Sequence, residues 1–221
     1  MPRPLFEALR DAGVFKMSVS KVVGGAEVEE ETVVQVIEEL ARQDGSVGWN
    51  VMIASFGAMV ASYLPAAALR DVYRGGPSTV LAGNLVPQGV ALPVPGGFRL
   101  TGRWTFASGC HQADWMGGGS AVMAQGTPRL HPDGSPDVRA FFVPVEACEI
   151  LDTWHTAGLR GTGSHDWQVA DVFVPQEQTV PILRDGRSAP GALSIRDFVA
   201  FAGPCVAAVT LGIARAQLLL H

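Results

Sequence analysis

Ala107-Ser108-Gly109 sets a hydroxyl beside a residue with no side chain, just past the rings of Trp104 and Phe106. Two aromatics, a hydroxyl and bare backbone in so short a stretch suit the approach of a flat heteroaromatic ligand. A second cluster, Arg160-Gly161-Thr162-Gly163-Ser164, combines a cation, glycines and hydroxyls. It reads equally as a nest for an anionic group and as a tight turn. It is no dinucleotide fingerprint, because the third glycine is missing and a strand rather than a helix follows. Ser164-His165-Asp166 has the composition of a hydrolytic triad without its geometry, since successive side chains of an extended chain point to opposite faces. His155 and His165 lack close-spaced ligand partners, and Cys110, Cys148 and Cys205 are widely separated, so no metal site or disulfide frame is expected.

The elements that must position these groups follow from periodicity. Phe98, Leu100, Gly102, Trp104 and Phe106 share one parity and Arg99, Thr101, Arg103 and Thr105 the other, which predicts a strand with one buried face. Pro95-Gly96-Gly97 predicts the hairpin turn that feeds it. Further strands are expected at 121–124, 140–145 and 169–174, with a surface loop over 127–137. Before the β region, 4–15 reads as a short helix with Leu5, Leu9 and Phe15 inward and Gly13 as C-cap. Glu30 to Gln43 carries Val33, Val34, Ile37, Leu40 and Ala41 at helical spacing and acidic residues in its first turn. Ser46 is the expected N-cap of the next helix, and Pro65 opens a third one running to Tyr73. Val47 to Leu64 is almost wholly apolar, but Asn50, Ser55, Ser62 and internal glycines favour a buried core helix over a membrane span. After a linker at 181–190, residues 194–220 are helical in composition, with Pro204 expected to kink or divide them.

Three stretches, LARQDGSVGWN, GRWTFASGC with ADW, and GLRGTGSHDW with VFVP, occur in an order and spacing that resemble the acyl-CoA dehydrogenase superfamily. The likeness is strongest to its flavin-dependent monooxygenase branch, the oxygenase components of two-component aromatic hydroxylases. It implies an α+β chain: an N-terminal helical domain over 1–76, a central antiparallel β-barrel-like domain over 77–182, and a linker with the start of a C-terminal helical bundle over 183–221. It implies a flavin cofactor, FMN or FAD, supplied reduced by a separate flavin reductase, and a small-molecule aromatic or polycyclic substrate that receives one atom of O2. Ser108 then falls near the flavin N5 as the catalytic candidate, with Trp104, Phe106 and Gly109 against the ring. Leu85, Pro87, Gln88 and Gly89 fall where relatives run a loop along the pyrimidine edge, and Arg160 at an anion-binding position. Intact relatives are tetramers, so a homo-oligomer is expected.

Departures from the family pattern keep two alternatives open. The Thr-Glu-Pro and Gly-Ser-Asp sequences of typical acyl-CoA dehydrogenases are missing, which favours the monooxygenase over desaturation of acyl thioesters. Hydroxylases of this group commonly engage a phenol with a histidine from the N-terminal domain, yet no histidine precedes His111. The family bundle continues past the point where His221 falls, so the chain is expected to be C-terminally truncated. Either the substrate is not a simple phenol or the chain is an inactive fragment or binding module. A net charge of −5 without a basic run argues against nucleic acid. The start lacks a signal-type apolar core, and with unpaired cysteines this points to the cytoplasm.

Overall fold

The computed structural model describes residues 1–183 and 192–218. Helix α1 (Arg3–Asp11) ends before Gly13, which takes a left-handed conformation (φ 80°) and starts a single 3-10 turn. Phe6, not the expected Leu5, joins Leu9 and Phe15 in the core, because Leu5 falls on the solvent side of the helix. Helix α2 (Glu30–Gln43) buries Val33, Ile37 and Ala41 and keeps Glu30 and Glu31 in its first turn, where they complement the helix dipole. Helix α3 (Gly45–Ala61) is capped by Asp44 rather than Ser46: the carboxylate accepts from Ser46 N at 2.7 Å and Val47 N at 3.3 Å. At 17 residues it is a core helix buried on most sides. Helix α4 (Ala66–Val72) starts after Pro65 as expected.

Among the described residues nine strands form one sheet: β1 (Leu81–Val94), β2 (Gly97–Ala107), β3 (Trp115–Ala124), β4 (Thr127–Pro128), β5 (Val138–Pro144), β6 (Glu149–Leu151), β7 (His165–Pro175), β8 (Thr179–Leu183) and β9 (Leu193–Ser194). The order is β6-β7-β2-β1-β3-β5-β8-β9, with β4 beside β3. Most pairs are antiparallel, including the β1–β2 hairpin closed through Gly96, but β1 and β3 run parallel, as do β8 and β9. The expected loop at 127–137 contains β4 and a bridge between Leu130 and Pro136.

Helix α5 (Ile195–Leu218) packs Phe201, Cys205, Ala208, Val209 and Gly212 inward, and it contains Pro204 without being divided by it. Its approach to α2 is close, since a Cβ on Gly212 would lie 2.3 Å from the Glu38 carbonyl oxygen. By length and composition α5 is apolar enough to cross a membrane; it packs one face against α2 and α3 and leaves the other exposed. The expected linker begins inside β8, and the remainder of it, 184–190, lies outside the described residues, as do 191 and 219–221.

Candidate flavin and substrate cavity

Helix α3, strand β1 and the 3-10 turn Arg160–Thr162 enclose a cavity of about 450 Å³. Trp49, Ile53 and Phe56 face it from α3, Phe198 from α5, Phe142 from β5 and Trp154 with Leu159 from the segment before the turn. No charged side chain is among the described residues that line it. Gly57 lets α3 lie against β1, for a Cβ there would stand 2.6 Å from Leu81 Cβ.

Phe106 departs from the parity of its strand. Pairing of β2 with β7 shifts register between Trp104 and Ala107, and Phe106 adopts φ 60°. Such a bulge re-aims a side chain, and a positive φ on an aromatic residue is costly enough to mark a functional site. Phe106 is accordingly 62% exposed and stands at the cavity, its ring edge-on to Trp154 at 6.1 Å. Trp104 goes the other way. It is fully buried, stacks on Trp167 at 4.2 Å and donates from Nε1 to the Gly119 carbonyl at 2.7 Å. Trp104 is therefore core and not a cavity residue, because the alternation that points it inward holds up to the bulge and fails only after it.

Ser108 lines the cavity and sits in a continuous hydroxyl chain. Trp49 Nε1 donates to Ser108 Oγ at 2.9 Å, Ser108 Oγ lies 2.7 Å from Ser164 Oγ, and Ser164 Oγ lies 2.7 Å from Thr162 Oγ1. Thr162 Oγ1 then donates to the Leu159 carbonyl at 2.8 Å. That carbonyl also receives Thr162 N at 3.1 Å and Trp154 Nε1 at 3.2 Å, and Leu159 holds φ 50°. Gly109, at φ 77°, donates its N–H to the Thr162 carbonyl at 2.8 Å and so ties the end of β2 to the turn.

The expected pyrimidine-edge residues lie in an irregular stretch of β1 rather than a free loop. Register with β3 shifts between Asn84 and Gly89. Asn84 Nδ2 donates to the Thr105 carbonyl at 3.1 Å, while Gln88 Oε1 accepts from Thr105 N at 3.0 Å and its Nε2 donates to Thr105 Oγ1 at 3.2 Å. Leu85 reaches the cavity, Pro87 and Gln88 are exposed beyond it, and Gly89 is buried against Trp104. Arg160 is exposed on the turn and does not line the cavity.

Ser164, His165 and Asp166 diverge. Asp166 pairs with Arg103 at 2.7 Å, whereas His165 Nδ1 accepts the backbone N–H groups of Thr153 and Trp154 at 3.2 Å each and so holds Trp154 over the cavity. His111 stands 4.8 Å from His165, ring centroid to centroid, and burial followed by that neighbour pushes its pKa below the usual histidine value. Trp49, Asn84 and Trp154 join the site without having been singled out in the sequence. The available signal for Trp49 was a large ring with an N–H in an otherwise apolar helix, a group that needs a partner when buried.

Residues 1–69 match the acyl-CoA dehydrogenase N-terminal domain family. The chain is 36% identical to an indole-3-acetate monooxygenase of Pseudomonas putida over 98% of its own length and 53% of that protein. It is 32% identical to the flavin-dependent monooxygenase oxygenase subunit HsaA of Mycobacterium tuberculosis over 80% of its length and 43% of that protein. The solved structure of XiaF from Streptomyces sp., in complex with FADH2 and glycerol, superposes with a TM-score of 0.84 at 28% identity, covering 100% of this chain and 56% of that one. The chain thus spans about half the length of the relatives it matches. Sequence similarity along nearly the whole chain and the shared fold agree in likening the chain to flavin-dependent monooxygenases, and residues 1–69 match the N-terminal domain of the acyl-CoA dehydrogenase family.

Proposed function

We propose that this chain acts in the oxygenase component of a two-component monooxygenase, receiving reduced flavin from a separate reductase and directing one oxygen atom of O2 to a small aromatic or polycyclic substrate. The observation that carries the reading is Ser108, a buried hydroxyl anchored by Trp49 and Ser164 at the wall of an aromatic cavity, with Phe106 turned out beside it. The residues fit a flavin: flat apolar walls, one cluster of hydroxyls, and no charged side chain among the described lining residues. Bound reduced flavin supplies the electrons that activate oxygen.

The chain's own residues do the rest. Phe106 and Trp154 would pack against a bound flavin, Leu85 would border it, and Ser108 would offer its N5 a hydrogen bond. The apolar walls contributed by Ile53, Phe56 and Phe142 would exclude water from the bound cofactor and substrate. The uncharged lining favours a neutral planar substrate, FMN and FAD being equally compatible with it. Arg160 serves, in this reading, at the exposed rim and not at the ring. The sequence likeness to the monooxygenases over almost the full chain supports this reading over acyl thioester desaturation. Anaerobic titration with reduced FMN and FAD, followed by tryptophan fluorescence from Trp49 and Trp154, is expected to show saturable quenching. Saturable binding of an acyl thioester with no response to either flavin would overturn it.

A further inference from the structure

The hydroxyl chain at Ser108 has a direction that its two ends fix. Trp49 Nε1 can only donate, so Ser108 Oγ accepts there. The Leu159 carbonyl can only accept, so Thr162 Oγ1 commits its single proton to it. Thr162 must then accept from Ser164, and Ser164, its proton spent, must accept from Ser108. The opposite order would leave the Ser108 proton, on a side chain buried to 3% exposure, with no protein partner. Ser108 therefore keeps no free proton, and its one uncommitted group is a lone pair.

We propose that Ser164 and Thr162, anchored on the Leu159 carbonyl, are positioning residues that hold the Ser108 hydroxyl as a hydrogen-bond acceptor toward the cavity. The inference rests on the flavin reading above. A reduced flavin offers an N–H at N5 and an oxidised one a lone pair. An acceptor at Ser108 matches the first and opposes the second, so the chain of hydroxyls sets which redox form the site retains. Neither Ser164 nor Thr162 needs to touch the ring for this to operate.

The two forms of FMN, reduced under anaerobic conditions and oxidised, are titrated into the full chain and into Ser164→Ala, Thr162→Val and Trp49→Phe variants, with thermal melts alongside. Wild type is expected to prefer the reduced form. Ser164→Ala frees the Ser108 proton, and Thr162→Val lets Ser164 turn back toward Ser108. Each is expected to reduce the preference by about tenfold, the scale of one hydrogen bond exchanged for a mismatch. Trp49→Phe leaves the Ser108 proton on Ser164 and is expected to keep the ratio while weakening both forms. A uniform loss of both forms in Ser164→Ala and Thr162→Val, with the ratio intact, would show a merely structural role and overturn the inference. An equal ratio change in Trp49→Phe would do the same. If Ser164→Ala does not fold, Thr162→Val, which keeps the side-chain shape, decides alone. Failure of wild type to bind either form would sink the flavin reading itself, and this inference with it.

Discussion

Ser108 shows how one side chain serves both scaffold and site. Its oxygen is the acceptor for the Trp49 indole, so Ser108→Ala strips a partly buried donor of its partner as well as removing a contact to ligand. Loss of that internal bond is expected to cost about 0.5–1.5 kcal/mol of stability, and loss of the bond at N5 about 1–3 kcal/mol of ligand binding. Melting temperature, flavin affinity and the ratio of hydrogen peroxide to hydroxylated product are measured together. Oxygen consumption that continues while product falls and hydrogen peroxide rises supports the assignment at N5. A lowered melting temperature with unchanged affinity and coupling would reduce Ser108 to a turn residue. The cysteines offer no competing chemistry, since burial pushes the thiols of Cys110 and Cys205 up to about 11 and that of Cys148 to about 12.

At the scale of elements, the site depends on small residues that let strands approach the Trp104 ring. A Cβ on Gly118 would lie 2.6 Å from Trp104 Cε2, and one on Gly89 would lie 2.3 Å from its Cζ2. Gly118→Ala is expected to destabilise the protein by about 1–3 kcal/mol through overpacking, read as a lowered denaturation midpoint. Retention of the wild-type midpoint would show that the ring can move. The same glycines explain what could be read from the sequence and what could not. Helix α2 was legible to its ends because its apolar spacing and its acidic first turn agree. Strand β3 was legible only from Ala121 onward, since Gly117 to Gly119 look like a turn until the Trp104 ring against Gly118 and the Leu85 backbone against Gly119 are known. Strand β2 was legible as far as Trp104, and the site hinges on the next two residues, where a register shift no alternation predicts turns Phe106 outward. The hydroxyls of Thr162 and Ser164 were visible as a cluster, but their link to Ser108 joins positions 56 residues apart and exists only after folding.

For the whole molecule, the outer side of α5 is the conspicuous surface. Ile195, Val199 and Val206 recur on one stripe and remain 37%, 58% and 39% exposed, while Phe201 and Val209 are buried. Apolar patches of this kind drive association. The isolated chain is expected to form oligomers at micromolar concentration, and Val199→Lys with Val206→Lys is expected to shift it toward monomer in light scattering. A wild-type monomer at the same concentration would count against this surface as a contact.

The positive φ of Phe106 sets stability against function at a single position. A residue held there costs on the order of 1–3 kcal/mol, and an exposed ring recovers little of that from packing. Glycine adopts the same backbone without strain, at an entropic loss of about 0.5–1 kcal/mol. Phe106→Gly is therefore expected to leave the melting temperature unchanged or raise it, while ligand affinity falls. Selection for thermal robustness alone would tend to erase this aromatic residue, so a stabilised variant of the protein that retains Phe106 would have kept it for what the ring touches.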